Sequence, residues 1–262
     1  MMFPTGFKPK KSLGQSFLIS NKIADKLVDA LELHSTDDVL EIGAGFGILT
    51  TRLYEKAHKV YAVEIDERLL PILKEKVKTC NNIEIIHQDI LKLDWQKFTN
   101  LKIIGNIPYY ISSEILLKLL DNINVWDLTV LTTQREFTNK LLAIPENLTY
   151  CATTVLFEFY TECKKICSIP ASAFRPSPKI VSSAVVIKKR PSPLYVDVDF
   201  AKFSTIVQSS FKQPRKTIVN NLSKSLGVSK DKIIQITNLD LTRRAESFST
   251  QDFYKLTKAL CQ

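Results

Sequence analysis

The pattern of apolar positions predicts strands and helices that alternate along most of the chain. Short apolar runs are typical of buried strands, and apolar residues three and four apart are typical of amphipathic helices. Ile23, Leu27 and Leu31 have this helical spacing. The predicted strands are residues 39–43, 59–65, 83–89, 101–106, 126–133, 153–162 and 180–189. The predicted helices between them are residues 20–33, 46–57, 67–78, 112–122 and 135–143. Strands that alternate with helices in this way indicate an α/β fold with a largely parallel sheet.

No helical segment separates the last two predicted strands, 153–162 and 180–189. The segment between them, PASAFRPSPK at 170–179, is predicted to be a loop. We therefore expect an antiparallel pair at one edge of a seven-stranded sheet.

The C-terminal part of the chain has helical periodicity only. Residues 188–194 (KKRPSPL) carry two prolines after a run of charge and indicate a linker. Beyond it the predicted helices are residues 200–211, 214–226, 229–236 and 249–260. The expected organisation is an α/β domain over residues 1–190 and a small all-α domain over residues 191–262.

Positive charge is concentrated at the two ends of the chain. The 262 residues have a formal net charge of +9, yet residues 21–190 carry only one more basic than acidic side chain. Residues 1–20 contain three lysines and no acid, and residues 191–262 contain 11 Lys and Arg against 6 Asp and Glu. This distribution indicates a surface for a polyanion such as nucleic acid, although charge alone is equally consistent with solubility.

The cysteines and the hydropathy of the chain indicate where in the cell the protein is expected. The five cysteines are scattered, and Cys163 and Cys167 lack a second pair to complete a zinc site, so we expect free thiols and no metal centre. No apolar run reaches 18 residues, and residues 1–18 lack the apolar core of a signal peptide. The sequence predicts a cytoplasmic protein without a membrane partner, most simply a monomer.

Three of the chain's seven glycines, Gly43, Gly45 and Gly47, follow the first predicted strand of the sheet. Glycines at this place let the backbone approach a ligand closely, and the next helix offers free N–H groups. Ile48 stands where the dinucleotide fingerprint has its third glycine, which weakens an NAD site. Glu64, which ends the second strand, is placed to accept from the ribose hydroxyls of NAD or S-adenosylmethionine. The alternative is a turn that only packs a helix on a strand.

Polar residues also end the third and fourth strands. Asp89 is placed to accept from an adenine amine, although it can equally be a helix N-cap. Asn106, Ile107, Pro108 and Tyr109 follow the fourth strand. Acceptors on the Asn106 side chain and the Ile107 carbonyl can hold the two N–H bonds of an adenine amine, whose lone pair is otherwise delocalised. Tyr109 can stack on the base. Turn chemistry alone explains the Asn and Pro equally well.

Several segments together resemble one family, the ribosomal RNA adenine N6-dimethyltransferases, and in particular its bacterial small-subunit members associated with kasugamycin resistance. They are LGQSFL (13–18), VLEIGAGFGILT (39–50), VEID (63–66), HQDIL (87–91), GNIPYYIS (105–112), AFRPSPKIVSSAVV (173–186), FKQPRKTIVNNL (211–222) and RRAESFSTQDFYKL (243–256). The resemblance extends over nearly the whole chain in the family's order.

The resemblance implies a Rossmann-like, seven-stranded methyltransferase domain with a helical C-terminal domain. It implies transfer of four methyl groups from S-adenosylmethionine to two adjacent adenosines near the 3′ end of small-subunit ribosomal RNA, on a 30S assembly particle. The cofactor contacts that it implies fall on Ser16, Leu18, Gly43, Gly45, Glu64, Asp89 and Asn106. Tyr109 and Phe174 would sandwich the target base. Ser16 departs from the family's His or Asn, and Cys151 from its glycine.

The basic residues near the C-terminal domain are the candidate phosphate contacts. They are Lys188, Lys189, Arg190, Lys212, Arg215, Lys216, Arg243 and Arg244. For each of them a solvated surface charge is an equally good interpretation.

Three other functions remain as alternatives. The macrolide-resistance methyltransferases of large-subunit RNA share the Asn-Ile-Pro-Tyr segment, but residues 211–222 favour the small-subunit enzymes. A largely non-catalytic ribosome-assembly or RNA-binding factor is disfavoured by the intact Gly43, Glu64 and Asn106. An NAD enzyme is disfavoured by Ile48.

Overall fold

The structure is a computed structural model, and it describes residues 4, 6–237 and 239–261. Within these residues the chain forms two compact units. The first comprises the residues up to Thr138 together with Lys164–Lys189, and the second comprises Asn139–Cys163 together with the residues from Arg190 onward. The second unit thus takes in a segment that the sequence analysis assigned to the α/β domain. Met1 and Gln262, the outer limits of the predicted domains, lie outside the described residues.

Seven of the nine strands in the described part of the chain form one sheet. The strands are β1 Phe17–Leu18, β2 Asp38–Ile42, β3 Lys59–Glu64, β4 Ile83–His87, β5 Leu101–Asn106, β6 Trp126–Gln134, β7 Thr161–Ile169, β8 Phe174–Arg175 and β9 Ser182–Lys189. The large sheet has the order β4-β3-β2-β5-β6-β9-β7, and β1 pairs with β8 in a separate two-stranded sheet. The predicted seven-stranded α/β sheet is confirmed.

The sheet reverses its strand order between β2 and β5, and this position sets where a ligand can bind. β2 pairs in parallel with both β3 and β5, β3 with β4, and β5 with β6, whereas β9 is antiparallel to β6. In such sheets ligands bind beyond the carboxyl ends of the strands, at the point where the order reverses. The glycine turn follows β2, and Asn106 ends β5 with residues 107–109 after it, so both lie at this point.

The helices cover the sheet in the first unit and make up most of the second. They are α1 Asn21–Asp29, α2 Thr50–Leu53, α3 Leu70–Lys76, α4 Ser112–Asp121, α5 Arg135–Leu141, α6 Ala152–Tyr160, α7 Phe200–Phe211, α8 Ile218–Leu226, α9 Lys230–Ile236 and α10 Thr250–Leu260. Short 3-10 turns occur at Lys11–Leu13, Glu67–Leu69, Ile90–Lys92, Trp95–Lys97, Tyr109–Ile111, Ala171–Ala173 and Ala245–Ser247. None of these helices has the length and apolar character needed to cross a bilayer.

The predicted strand over residues 153–162 is wrong, because residues Ala152–Tyr160 form helix α6. Its residues Val155, Leu156, Phe157 and Phe159 are all buried. An apolar run without a clear period does not distinguish a buried helix from a buried strand, and its aromatic and β-branched residues favoured the strand. The strand that completes the sheet is β7, which begins where this helix ends.

The predicted helix over residues 46–57 is also much shorter in the structure. Only Thr50–Leu53 are helical, and the glycine turn continues up to that point. Gly47 has a positive φ of 71°, and a side chain there would meet Leu73 Cδ1 at 2.8 Å. The backbone therefore stays irregular through Gly47 before the helix begins.

Candidate active site

The glycine turn after β2 opens directly onto three cavities. The backbone N–H groups of Gly43 and Ala44 donate to the Val63 carbonyl, at 2.9 and 3.1 Å, which holds the turn against β3. Gly43 has a φ of +72° and lines all three cavities. The nearest atom to a Cβ added at this position is the Asn106 carbonyl oxygen, at 3.9 Å. Position 43 therefore needs glycine both for its backbone conformation and to keep ligand space open.

Glu64 ends β3 beside this turn and is 6% exposed. One carboxylate oxygen accepts from the Gly45 N–H and the other from the Asp66 N–H, each at 2.8 Å. Burial raises the pKa of Glu64, and these backbone hydrogen bonds act against that rise. Each carboxylate oxygen has a second acceptor site, so Glu64 can still accept from two ligand hydroxyls.

Asn106, the last residue of β5, has its side-chain amide fixed from two sides. Its Nδ2 donates to the Ser16 carbonyl at 2.7 Å, and its Oδ1 accepts from the Thr132 hydroxyl. Asn106 lines the same cavity as Gly43, Gly45 and Glu64. The structure thus brings together the amide and the carboxylate that the sequence placed on different strands.

The three residues after Asn106 line this cavity as well. Ile107 is buried, Pro108 precedes a 3-10 turn, and Tyr109 is half-buried. The Tyr109 hydroxyl is hydrogen-bonded to the Ser182 hydroxyl of β9, and burial raises the pKa of Tyr109. The ring is therefore anchored at its polar end while its body borders the cavity.

Asp89 lies in a second cavity of about 250 Å³, which also has Gly43 in its wall. Its Oδ1 accepts from the Leu91 N–H at 3.0 Å, so the predicted N-cap role is present. The other carboxylate oxygen takes no part in that hydrogen bond. Ile65 and Ile90 line the same cavity, and their apolar side chains suit the faces of a flat base.

The N-terminal segment forms one wall of the site. Ser16 lines the first cavity, and its hydroxyl donates to the Pro176 carbonyl at 2.9 Å. Leu18 is buried and lines the smallest of the three cavities. Gln15, which the sequence analysis did not select, accepts from the Lys10 N–H and donates to Asp66 Oδ2, each at 2.7 Å. This bond ties the segment to the body of the unit.

Asp66 and Arg68 extend this attachment. Asp66 is 2% exposed and pairs with Arg68 at 2.5 Å, and hydrogen bonds from Arg68 and Gln15 hold its pKa well below the usual range. Arg68 also donates to the Lys8 carbonyl at 3.1 Å and lies over the Phe7 ring. The sequence showed Asp66 only as part of the segment VEID, with no sign that it binds a segment fifty residues away.

Glu41 is a further residue that the sequence analysis did not select. It lies on β2, is 1% exposed and accepts from the Thr50 hydroxyl at 2.6 Å. Burial raises the pKa of Glu41 to about 8, and the nearby Glu64 carboxylate adds to this effect. Its position one residue before Ile42 in a buried strand is the only signal that the sequence offered.

Phe174, which is predicted to sandwich the target base with Tyr109, is buried in the structure. It is 2% exposed and packs in the hydrophobic core with Leu18 and Ala184. Leu18 is also its register partner between β1 and β8. In this conformation the Phe174 ring presents no open face on which a base can stack, because core side chains surround it.

The predicted phosphate contacts fall into two groups. Four are in ion pairs within their own unit: Lys189 with Asp127, Arg190 with Glu162, Arg243 with Glu146, and Arg244 with Glu246. The other four, Lys188, Lys212, Arg215 and Lys216, are exposed and have no acidic partner among the described residues. Three of these four lie between α7 and α8 of the second unit.

Comparisons with known proteins identify the family of this chain. The sequence profile of the family "Ribosomal RNA adenine dimethylase" matches residues 6–262. The chain belongs to the ribosomal RNA adenine dimethylase family. It is similar to the "Ribosomal RNA small subunit methyltransferase A" of Geobacillus sp. (strain WCH70), with 37% identity over 97% of this chain and 92% of the relative.

Two solved structures have a similar fold. A dimethyladenosine transferase from Plasmodium falciparum superposes with a TM-score of 0.79 and 26% identity, over 92% of this chain and 95% of that one. The 23S rRNA methyltransferase ErmE superposes with a TM-score of 0.74 over 94% of this chain and 100% of that one, and at 24% identity it shows the fold alone.

As a member of this dimethylase family, the chain is a methyltransferase of ribosomal RNA adenines that uses S-adenosylmethionine. The residues present fit that cofactor. Gly43 keeps the space beside the turn free of side-chain atoms, Glu64 offers buried acceptors for hydroxyls, and the second cavity joins apolar walls to the Asp89 carboxylate. When bound, S-adenosylmethionine supplies a methyl group on a positively charged sulfur.

Proposed function

We propose that this chain methylates the N6 amines of two adjacent adenosines near the 3′ end of small-subunit ribosomal RNA, producing N6,N6-dimethyladenosines. The observation that carries the proposal is the match over 97% of the chain to a relative named for the small subunit. The C-terminal segments FKQPRKTIVNNL and RRAESFS support it. The proposed partner is a 30S assembly particle in the cytoplasm, which the enzyme meets as a monomer.

The cofactor is held by residues at the carboxyl ends of β2, β3 and β4 and by the N-terminal wall. Glu64 accepts from the ribose hydroxyls, and Asp89 accepts from the adenine amine through the oxygen that is not engaged with Leu91. Gly43 and Gly45 let the cofactor lie against the backbone. Ser16 and Leu18 contribute through the N-terminal wall, where the Ser16 carbonyl is already occupied by Asn106.

The target amine is held by the segment after β5. The Asn106 Oδ1 and the Ile107 carbonyl accept its two N–H bonds, which draws the nitrogen towards a tetrahedral geometry and frees its lone pair. Tyr109 stacks on the extruded base, a contact worth about 1–3 kcal/mol. Bound S-adenosylmethionine would supply the methyl group, and the neutral thioether that remains would be the leaving group. No general base would be required, because the amine proton could pass to water after the transfer.

The experiment uses S-adenosylmethionine labelled in its methyl group, with small and large ribosomal subunits from cells that lack this modification. We expect label on small-subunit RNA only, and mass spectrometry of the fragments should place two methyl groups on each of two neighbouring adenosines. Label on large-subunit RNA would assign the chain to the macrolide-resistance function. Binding to the small subunit without any label would favour an assembly role without catalysis.

A further inference from the structure

Two buried hydroxyl groups lie directly behind the residues that receive the target adenine. Thr132 is on β6 and Ser182 is on β9, and both residues are fully buried. Strand β6 lies between β5 and β9, with Thr132 opposite Asn106 on one side and opposite Ala184 on the other. The two hydroxyls therefore reach the segment after β5 from the neighbouring strands of the sheet.

The hydrogen bonds of Asn106 define which way its amide faces. The Ser16 carbonyl is only an acceptor, so the atom next to it at 2.7 Å must be the amide nitrogen. The amide oxygen then faces Thr132, whose hydroxyl donates to it. A flipped amide would place two acceptors against each other at Ser16, so only one orientation satisfies both neighbours.

This orientation leaves one acceptor site of the Asn106 oxygen unused. An amide oxygen has two acceptor sites, and Thr132 takes one of them. Asn106 lines the cavity, so the second site is available to an N–H bond of the substrate. Without the Thr132 hydroxyl, the amide oxygen would lose its donor in a buried place and could turn away from the substrate.

Ser182 acts on Tyr109 in the same manner. Its hydroxyl is bonded to the phenol oxygen of Tyr109, at the end of the ring away from the backbone. The hydrogen bond fixes the direction of the ring axis and so holds the ring beside the cavity, which a stacking partner needs. Ser182 itself is held in β9, where it pairs with Gln134 of β6.

We infer that Thr132 and Ser182 are positioning residues for methyl transfer: Thr132 orients the Asn106 amide, and Ser182 orients the Tyr109 ring. This inference rests on the proposed roles of Asn106 and Tyr109 towards the adenine. It does not depend on which ribosomal subunit carries that adenine.

The same two strands provide matched controls. Thr129 on β6 and Ser183 on β9 are also fully buried, and their hydroxyl oxygens have no hydrogen-bond partner among the described residues. Replacing them removes a buried hydroxyl from the same strands without affecting Asn106 or Tyr109. Any general effect of such a substitution on the sheet will therefore appear in Thr129→Val and Ser183→Ala.

The test measures single-turnover methyl transfer at saturating S-adenosylmethionine, on whichever ribosomal RNA the wild-type enzyme labels. We expect Thr132→Val to lower the rate constant about 10-fold to 100-fold, as misplacement of a catalytic group does. The RNA concentration for half-maximal rate should change little, and Thr132→Ser should restore most of the rate. Thr129→Val should match the wild type. If Thr132→Val does not fold, Thr132→Ala removes the same hydroxyl without adding a methyl group at the oxygen's place.

A double-mutant cycle tests the proposed role of Ser182 towards Tyr109. Tyr109→Phe and Ser182→Ala each remove one partner of the same hydrogen bond, so the double variant should be no slower than the slower single variant. Multiplied effects would show that the two hydroxyls act separately and would overturn the role of Ser182. The inference for Thr132 fails if Thr132→Val retains the wild-type rate, or if Thr129→Val loses as much. An inactive wild type on small-subunit RNA would count against the proposed substrate only.

Discussion

Two buried glutamates stand on neighbouring strands at the glycine turn, Glu41 on β2 and Glu64 on β3. Burial raises the pKa of both, but their surroundings differ. Glu64 accepts from backbone N–H groups at both oxygens, whereas Glu41 has a hydrogen bond from Thr50. We therefore expect Glu41 to carry a proton at neutral pH, and Glu64 to be the better acceptor for ligand hydroxyls.

The raised pKa of Glu41 predicts a pH-dependent stability. The carboxyl has an ordinary pKa of 4.5 when exposed and a pKa of about 8 in the folded protein. Between these values the folded state binds a proton that the unfolded state releases. The free energy of unfolding should therefore fall as pH rises from about 4.5 to 8, by at most about 1.4 kcal/mol per pH unit.

Glu41→Gln should remove this contribution. Urea unfolding of the wild type and of Glu41→Gln between pH 5 and 9 measures this contribution. The free energy of unfolding of the variant, relative to that of the wild type, should rise with pH. Parallel curves would show that Glu41 does not carry the proton.

Gly43 offers a second prediction at a single residue. An alanine there would adopt a φ of +72°, which costs about 1–2 kcal/mol, and its methyl group would enter the ligand space. We expect Gly43→Ala to weaken S-adenosylmethionine binding at least 10-fold in calorimetry. Gly227→Ala is the matched control, because Gly227 has a φ of +67° and no atom within 4 Å of an added Cβ. It should lower stability to a similar degree and leave cofactor binding unchanged, and an equal loss of binding in both variants would contradict this account.

Secondary-structure elements could be predicted where the spacing of apolar residues in the sequence matched the pattern of buried side chains in the structure. The strands β2 to β6 alternate with helices, and their positions followed from short apolar runs. Residues 153–160 were predicted as a strand because aromatic and β-branched residues dominate them, yet they form α6. The Thr154 hydroxyl accepts from the Cys151 N–H and closes the first turn of this helix, a contact that composition does not signal. The two-residue strands β1 and β8 were missed because their pairing joins residues far apart in the sequence.

The N-terminal segment provides a prediction for an element. Residues 13–17 line the first cavity, and Gln15 ties them to Asp66. We expect Gln15→Ala to raise the dissociation constant of S-adenosylmethionine about 5-fold or more, since a loosened segment must be ordered on binding. Gln96→Ala is the control, because Gln96 also bonds a side chain, that of Asn122, away from the cavities. Equal affinities for Gln15→Ala and wild type would show that the wall does not depend on this bond.

At the scale of the whole molecule, the sequence shows that basic residues are concentrated at the two ends of the chain. It does not show which of these side chains are paired with acids. Of eight predicted phosphate contacts, Lys189, Arg190, Arg243 and Arg244 are paired with acids in the structure. Three of these pairs join residues distant along the chain, as with Arg243 and Glu146, whereas Arg244 and Glu246 are two positions apart. Charge counting therefore identified the basic segments correctly but could not separate paired from unpaired side chains.

Lys212, Arg215 and Lys216, which have no acidic partner among the residues that the structure describes, carry the prediction for RNA binding. Each alanine substitution should lower the slope of log affinity against log salt concentration by about 0.7–0.9, the value expected for one phosphate contact. Filter binding to ribosomal RNA across a salt series measures this slope. Lys258→Ala removes a lysine that is paired with Asp197 at 2.8 Å and should leave the slope unchanged. An unchanged slope in all three variants would place the RNA contacts elsewhere.

The residues proposed to contact the cofactor and the adenine could be predicted from the sequence. The residues that hold them in position could not. Gly43, Glu64 and Asn106 end or follow β2, β3 and β5, which are neighbouring strands of the sheet, so the topology brings them to one cavity. Thr132 and Ser182 lie within apolar strands and gave no signal, because their role depends on register with Asn106 and on the reach of Tyr109. Phe174 was assigned by resemblance, and its burial in the core leaves Tyr109 as the aromatic residue of the pair that borders the cavity.

The most direct measurement is the single-turnover rate of methyl transfer to the adenine N6 by Asn106→Ala, compared with the wild type at saturating S-adenosylmethionine and RNA. The proposed role of Asn106 is to hold the reacting amine through its amide oxygen. It therefore predicts a loss of about 10²–10³-fold or more, as for other groups that stabilise developing charge. A rate within a few fold of the wild type would contradict the central claim that this amide prepares the amine for transfer.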